Sequence, residues 1–269
     1  MSRILLIVLG ASFIAGQTLA GPPQTPTPQT STTSVQPSTL LQQSLAALVG
    51  NTTLSDVTLT GTARHIAGSD DETGSVTYKA LSNGAARFDF SYPSGPRIEI
   101  RAATTDGPLG VWSGPDAVSH PLALHNLANR SDIFPVFTLA PLTSTTNLVV
   151  ILVGLETKNS QSVYHLSVSQ QFPQMKPKSA ALVQHLSQTD IFLDASTLLP
   201  VAIDFNTHPD NDAGIDIPIE LLFSDYRVVS GVQLPFHVQK FLNNGPALDL
   251  QFQTATVNSG VSASLFEVQ

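Results

Sequence analysis

The chain has 269 residues, a formal net charge of −8, only 12% charged residues and no cysteine. That balance excludes a nucleic-acid surface, which needs clustered Lys and Arg, and it excludes disulfide and thiolate chemistry. Stability must then come from a core, and 42% hydrophobic residues over this length suffice to build one.

In chain order, residues 1–20 read as a cleavable signal peptide. Arg3 supplies the positive end, residues 4–14 form an apolar run, and Thr18-Leu19-Ala20 is a small-residue cleavage site of the A-x-A type, cut after Ala20. The run is well short of the roughly 20 residues that span a bilayer, and no Cys follows it for lipid attachment. The expectation is export to the periplasm or the medium, with no transmembrane anchor after cleavage. Residues 21–39 carry Pro22, Pro23, Pro26, Pro28 and Pro37 among Thr, Ser and Gln, the composition of a disordered linker. Residues 40–269 are read as a single domain.

That domain opens on a helix. Leu40, Leu41, Leu45 and Leu48 recur at helical spacing, Thr39 with Gln42 has the form of a capping box, and Gly50 is placed to end the helix in a left-handed conformation. Strands with period two follow. Val57 and Leu59 alternate with Thr residues; Phe88, Phe90 and Tyr92 alternate with Arg87, Asp89 and Ser91; Ile98 and Ile100 alternate with Glu99 and Arg101. Asn83-Gly84 is the strongest hairpin signal, predicting a type I′ turn. Residues 121–141 lose the alternation and predict one or two short helices crossing the sheet. Residues 148–155 are apolar on both faces and predict a strand covered on both. Further strands are read at 164–168, 191–193, 201–205, 217–223, 226–229, 236–241 and 248–256, about eleven in all. An antiparallel sheet of that size curls, and its apolar face becomes the inside of a trough.

Several phrases recur in an order that carries a resemblance: Arg87-Phe88 after a glycine-turned hairpin, Asp106-Gly107 leading to Val111-Trp112, Asp194 with Thr197 and Pro200, Asp225-Tyr226-Arg227, Gly231 with Leu234-Pro235, and Asn258 with Phe266. Together with the first helix they resemble the LolA/LolB-like lipoprotein-carrier superfamily over residues 40–269. The resemblance implies a mainly β (α+β) fold: a curved antiparallel sheet forming an unclosed β-barrel, with a few helices covering its concave face and a cavity between them for lipid acyl chains. The chain departs from the carriers in lacking a Pro beside Lys79, and in two polar inserts at 170–178 and 208–216.

No catalytic residues are expected. There is no G-x-S-x-G elbow in the mature chain, and no H-E-x-x-H pattern among the seven histidines. No metal and no cofactor are expected either. The run from Asp210 to Asp216 resembles a calcium loop, but it lacks the residue spacing and the bidentate Glu of an EF-hand, so a polar turn is the reading taken. The expected ligand-lining residues are the apolar-face side chains Phe88, Phe90, Tyr92, Ile98, Ile100, Trp112, Phe205, Phe223, Phe236 and Phe252. The function that follows is an exported protein holding an apolar ligand, a lipid or acyl chain, between sheet and helices. The alternatives are an envelope module that binds other proteins through a strand edge and, third, a periplasmic hydrolase.

Overall fold

The computed structural model describes residues 36–129 and 132–268. The signal peptide and most of the linker therefore lie outside the described residues. The first helix, α1 (Pro37–Val49), begins inside the stretch read as linker. Pro37 stands in the first turn, where a missing N–H is tolerated, and Gln36 takes the N-cap position without a side-chain cap. The expected capping box does not form, because Thr39 is already helical and its N–H donates to the Gln36 carbonyl at 2.9 Å. Gly50 ends the helix at φ +55, its N–H on the Ala46 carbonyl.

The first run of strands is β1 (Asp56–Ala67), β2 (Asp70–Leu81), β3 (Ala86–Tyr92), β4 (Gly95–Thr104), β5 (Gly107–Ser113) and β6 (Ser119–Pro121). A short 3-10 turn (Leu124–Leu127) and α2 (Pro135–Ser144) lead to β7 (Leu148–Lys158) and β8 (Gln161–Gln170). Helix α3 (Pro177–Leu186) precedes β9 (Thr189–Asp194), β10 (Pro200–Thr207), β11 (Ile217–Val229), β12 (Val232–Leu242) and β13 (Gly245–Val257), and a 3-10 turn (Ala263–Phe266) closes the chain. All thirteen strands belong to one sheet in the order β6-β5-β4-β3-β2-β1-β13-β12-β11-β10-β9-β8-β7. Neighbours pair antiparallel, and the β1–β13 pairing joins two meanders into one curved surface. Strands β6 and β7 are left as unpaired edges, so the barrel is unclosed, with α1 and α2 packed on its core face.

Three expectations change here. The segments 217–223 and 226–229 are one strand: Ser224 pairs with His237 and Tyr226 with Pro235, so the register with β12 runs unbroken past Asp225, which takes φ +53 opposite Phe236. A single residue of positive φ distorts the strand locally without ending it. At Asn83-Gly84 only Gly84 has positive φ, and the Asn83 side chain instead accepts the Ala85 N–H at 3.0 Å, so the turn is not type I′. Paired positive φ values occur at Asn159-Ser160, Ser230-Gly231 and Asn243-Asn244, each between directly paired strand ends. Third, β7 is not covered on both faces, since Ile151, Val153 and Leu155 are exposed.

The core is formed by the concave face. Leu40, Leu41 and Leu48 of α1 and Phe134, Val136 and Leu139 of α2 pack against Leu59, Ile203, Phe223, Leu234, Phe236 and Phe252 of the sheet. Three prolines punctuate helix starts at Pro37, Pro135 and Pro177, and Pro141 sits inside α2. Helix α3 was not foreseen from sequence. It buries only Leu186, so it has little apolar periodicity to read.

Candidate functional site: a cavity with a charged floor

Beside the packed core the concave face opens into a cavity of about 650 Å³. Its wall comes from β1, β3, β4, β5, β10, β11, β12 and β13, with the Asp132-Ile133 segment before α2 as cover. An aromatic row runs along it. Tyr78, Phe88, Phe90 and Tyr92 follow one another at ring distances of 4.8, 5.3 and 5.5 Å, the last two pairs stacked. Phe205, Leu221 and Leu248 face the row from the other meander. Trp112 stacks on His120 at 4.4 Å and, being 44% exposed, stands at the rim.

The ten side chains named from the sequence divide. Phe88, Phe90, Tyr92, Ile98, Trp112 and Phe205 line the cavity. Phe223, Phe236 and Phe252 lie in the packed core with α1 and α2, and Ile100 lies in a separate cluster with Ala85 and Phe266. The reason for the last is a reversal of faces on β4. Glu99 pairs with Phe88 and Trp112, and Arg97 with Phe90, so the charged side of β4 shares the concave face with the aromatic row. Its apolar side, Ile98 and Ile100, is covered by the C-terminal 3-10 turn, where Arg87 Nη1 donates to the Leu265 carbonyl at 3.1 Å.

Alternation on β4 is read correctly from sequence, but which face is inside is set by what covers the other one. Lys240 was missed for a similar reason. It continues the inward series Leu234, Phe236, Val238 on β12, opposite Leu221 and Leu248, at a position where the pattern calls for an apolar residue.

Glu99, Arg101, Asp132 and Lys240 thus meet on the cavity wall. Arg101 Nε donates to Glu99 Oε1 at 3.0 Å, and both side chains keep 32% of their surface because they face the cavity. Asp132 accepts the Tyr78 hydroxyl in a short hydrogen bond and the Phe134 N–H at 2.9 Å. Burial works to raise the Glu99 pKa, but the charges of Arg101 and Lys240 outweigh it and leave it lowered. At Asp132 burial wins and raises the carboxyl above its ordinary value, against the hydrogen bonds from Tyr78 and Phe134. Burial, helped by the charge of Arg101 and opposed by Glu99, lowers the Lys240 ammonium.

A second polar group sits further along the same wall. His65 Nδ1, Tyr92 Oη and Arg97 Nε are buried with no hydrogen-bond partner, although Arg97 Nη2 reaches Glu72 at 3.0 Å. Burial pushes the Tyr92 hydroxyl up to about 12 and lowers the His65 imidazole. Buried polar atoms without partners are uncommon in folded proteins, and here three of them line one cavity.

Elsewhere the singled-out residues have structural roles. Asp194 Oδ1 accepts from the N–H and hydroxyl of both Ser196 and Thr197, which makes the turn between β9 and β10. Asn258 ties the β13 end to Ser55 and Thr53. Asp212 Oδ1 caps the Gly214 N–H at 2.9 Å. Asp216 turns away from that loop, its Oδ1 lying 3.0 Å from His185 Nε2 and 3.4 Å from His208 Nδ1. These three are the one group among the described residues whose donor atoms gather as metal ligands do, within 4.8 Å of one another. His208 Nδ1 also lies 3.0 Å from the Ile215 carbonyl, so the cluster fastens α3 to the segment between β10 and β11.

Among the described residues no helix is long and apolar enough to cross a membrane. No protein-family model matches the chain, and no curated relative does. Solved structures do. A domain assigned to outer-membrane lipoprotein sorting from Vibrio parahaemolyticus matches at 12% identity and TM-score 0.54, over 85% of this chain and 95% of that one. A LolA superfamily protein from Nitrosomonas europaea matches at 11% identity and TM-score 0.54, over 87% and 98%. A DUF1329 family protein from Desulfovibrio piger matches at 13% identity and TM-score 0.56, over 86% and 97%. The fold is that of the LolA-like half-barrels. At these identities the likeness is one of architecture.

Proposed function

We propose that the protein is an exported binding protein that holds an acyl chain, or an apolar ligand of similar shape, between its curved sheet and its helices. The observation that carries this is the cavity of about 650 Å³ with the Phe88, Phe90 and Tyr92 row as its wall. Ligand sites of this kind measure about 300–1,000 Å³ and are mostly apolar with a few placed polar groups. The fold neighbours support a carrier in preference to an enzyme, since two of them are named for lipoprotein sorting or for the LolA superfamily. Residues 1–20 act in this reading as a signal removed after Ala20, and residues 21–35 as a spacer leading to a periplasmic or secreted domain. Extraction of the purified protein with organic solvent followed by mass spectrometry tests the reading. A stoichiometric lipid is the expected result, and a ligand-free protein that takes up no acyl probe would refute it.

A second reading rests on β7. It is an edge strand whose register shifts at Val153, and Ile151, Val153 and Leu155 expose 56%, 52% and 62% of their surface along it. An uncovered edge of this kind accepts an added strand from a protein partner in the envelope. Crosslinking from position 153 in cells separates the readings, because a strand-binding module gives a discrete protein adduct whether or not the cavity is filled.

A further inference from the structure

We infer that the ligand's head is a single negative charge, a carboxylate on one acyl chain, and that Lys240 is the group that receives it. The inference rests on the cavity reading above and goes further by naming the chemistry of the ligand's polar end. Three cations line the cavity: Arg97, Arg101 and Lys240. Arg97 is paired with Glu72 at 3.0 Å and Arg101 with Glu99 at 3.0 Å. Lys240 has no hydrogen-bond acceptor and no ion-pair partner among the described residues, although Leu221 and Leu248 flank it across the sheet. Glu99 acts on it through its charge but not in direct contact, and a partly buried ammonium without a contacting partner is unfavourable unless something else supplies the counter-charge.

Glu99 is the carboxylate whose charge acts on Lys240, but it is already paired with Arg101, and the Asp132 carboxylate is engaged by the Tyr78 hydroxyl and the Phe134 N–H. The counter-charge is therefore sought in the space the ammonium faces. Glu99 and Asp132 limit how negative an occupant can be. They share the wall with Lys240, so a dianionic head such as a phosphate monoester meets two carboxylates and only one free cation. A monoanion meets a donor whose charge it neutralises. The aromatic row then lies along the chain that the head carries.

The test uses the purified protein and displacement of a naturally fluorescent polyene fatty acid by four hexadecyl competitors: the acid, the alcohol, the phosphate and the trimethylammonium. The acid should bind best, by about tenfold over the alcohol, the worth of one hydrogen bond to a charged group. The phosphate and the trimethylammonium should bind more weakly than the acid. Lys240→Met keeps the stem and removes the charge, so it should erase the preference for acid over alcohol while alcohol binding persists. Lys240→Arg should restore it. Equal binding of acid and alcohol by the parent protein, which needs no variant to fold, overturns the inference and leaves the carrier reading intact. Retention of the acid preference in a folded Lys240→Met protein also overturns it. Binding of none of the four overturns the carrier reading itself.

Discussion

Phe88 on β3 sits directly across from Glu99 on β4, so an aromatic ring and a carboxylate share the concave face of the sheet. In a dry core that neighbour would be apolar. Here Glu99 and its partner Arg101 keep about a third of their surface because the space before them is open. The relationship separates two regions of one concave face, a packed half under α1 and α2 and a hollow half walled by β3, β4 and β12.

The two halves should answer differently to the same substitution. Phe90 lines the cavity, so Phe90→Asp puts its charge where water reaches; the protein should fold and lose acyl-probe binding. Phe223 is 4% exposed within the core, so Phe223→Asp buries an unpaired charge and should lower stability by about 4 kcal/mol or more. Soluble yield, urea unfolding and probe titration of the two variants check this. A folded Phe223→Asp protein with normal stability would contradict the division.

Asp56 should make the fold sensitive to acid. It is 2% exposed and accepts from Ser259 N at 2.8 Å, Ser259 Oγ at 2.9 Å, Ser55 Oγ at 2.9 Å and Gly260 N at 3.1 Å. Burial alone would raise its pKa, but those hydrogen bonds outweigh burial and hold it below the ordinary carboxylate value of 3.8. A depressed folded pKa means that the stabilisation is complete above the unfolded pKa and is lost as pH falls through the lower folded one. Asp56→Ala should reduce stability at neutral pH by about 1–3 kcal/mol, since it removes hydrogen bonds to a charged acceptor. It should also flatten the loss of stability in the acid range, and denaturant unfolding across pH measures both effects.

Calcium should leave the melting temperature unchanged. The acidic run from Asp210 to Asp216 does not converge: Asp212 caps Gly214, and Asp216 is drawn to His185 and His208. A hard cation needs six or more oxygens, and the donors gathered around Asp216 are imidazoles. A calcium-dependent rise in melting temperature that Asp212→Ala abolishes would show that the loop rearranges into a site.

Much of the fold could be read because strands report their pleat. The alternation of Phe88, Phe90 and Tyr92 and the turn at Asp194 both follow from local chemistry that one segment carries by itself. What could not be read depended on partners far away in sequence. The inside and outside of β4 are decided by Phe266, which covers Ile100 from the chain's end. The continuity of β11 through Asp225 is decided by the register of β12. The inward place of Lys240 is decided by β11 and β13, which set Leu221 and Leu248 beside it. The hollow itself is an absence of side chains between elements, and no single segment encodes that.

The reversal of faces on β4 allows stability and binding to be varied separately. Phe266 is 3% exposed and packs with Ala85 and Ile100 on the side of β4 away from the cavity, and Arg87 anchors the same turn through the Leu265 carbonyl. Removing a buried phenyl ring of this kind costs about 3–5 kcal/mol through lost transfer energy and the void left behind. Phe266→Ala should therefore lower the urea midpoint markedly without changing the slope. The folded fraction should bind the acyl probe as the parent does, because none of the residues around Phe266 except Ile98 reaches the cavity. Loss of probe binding in a Phe266→Ala protein that is fully folded at low temperature would mean that the C-terminal turn shapes the cavity as well, and that the two faces of β4 are coupled.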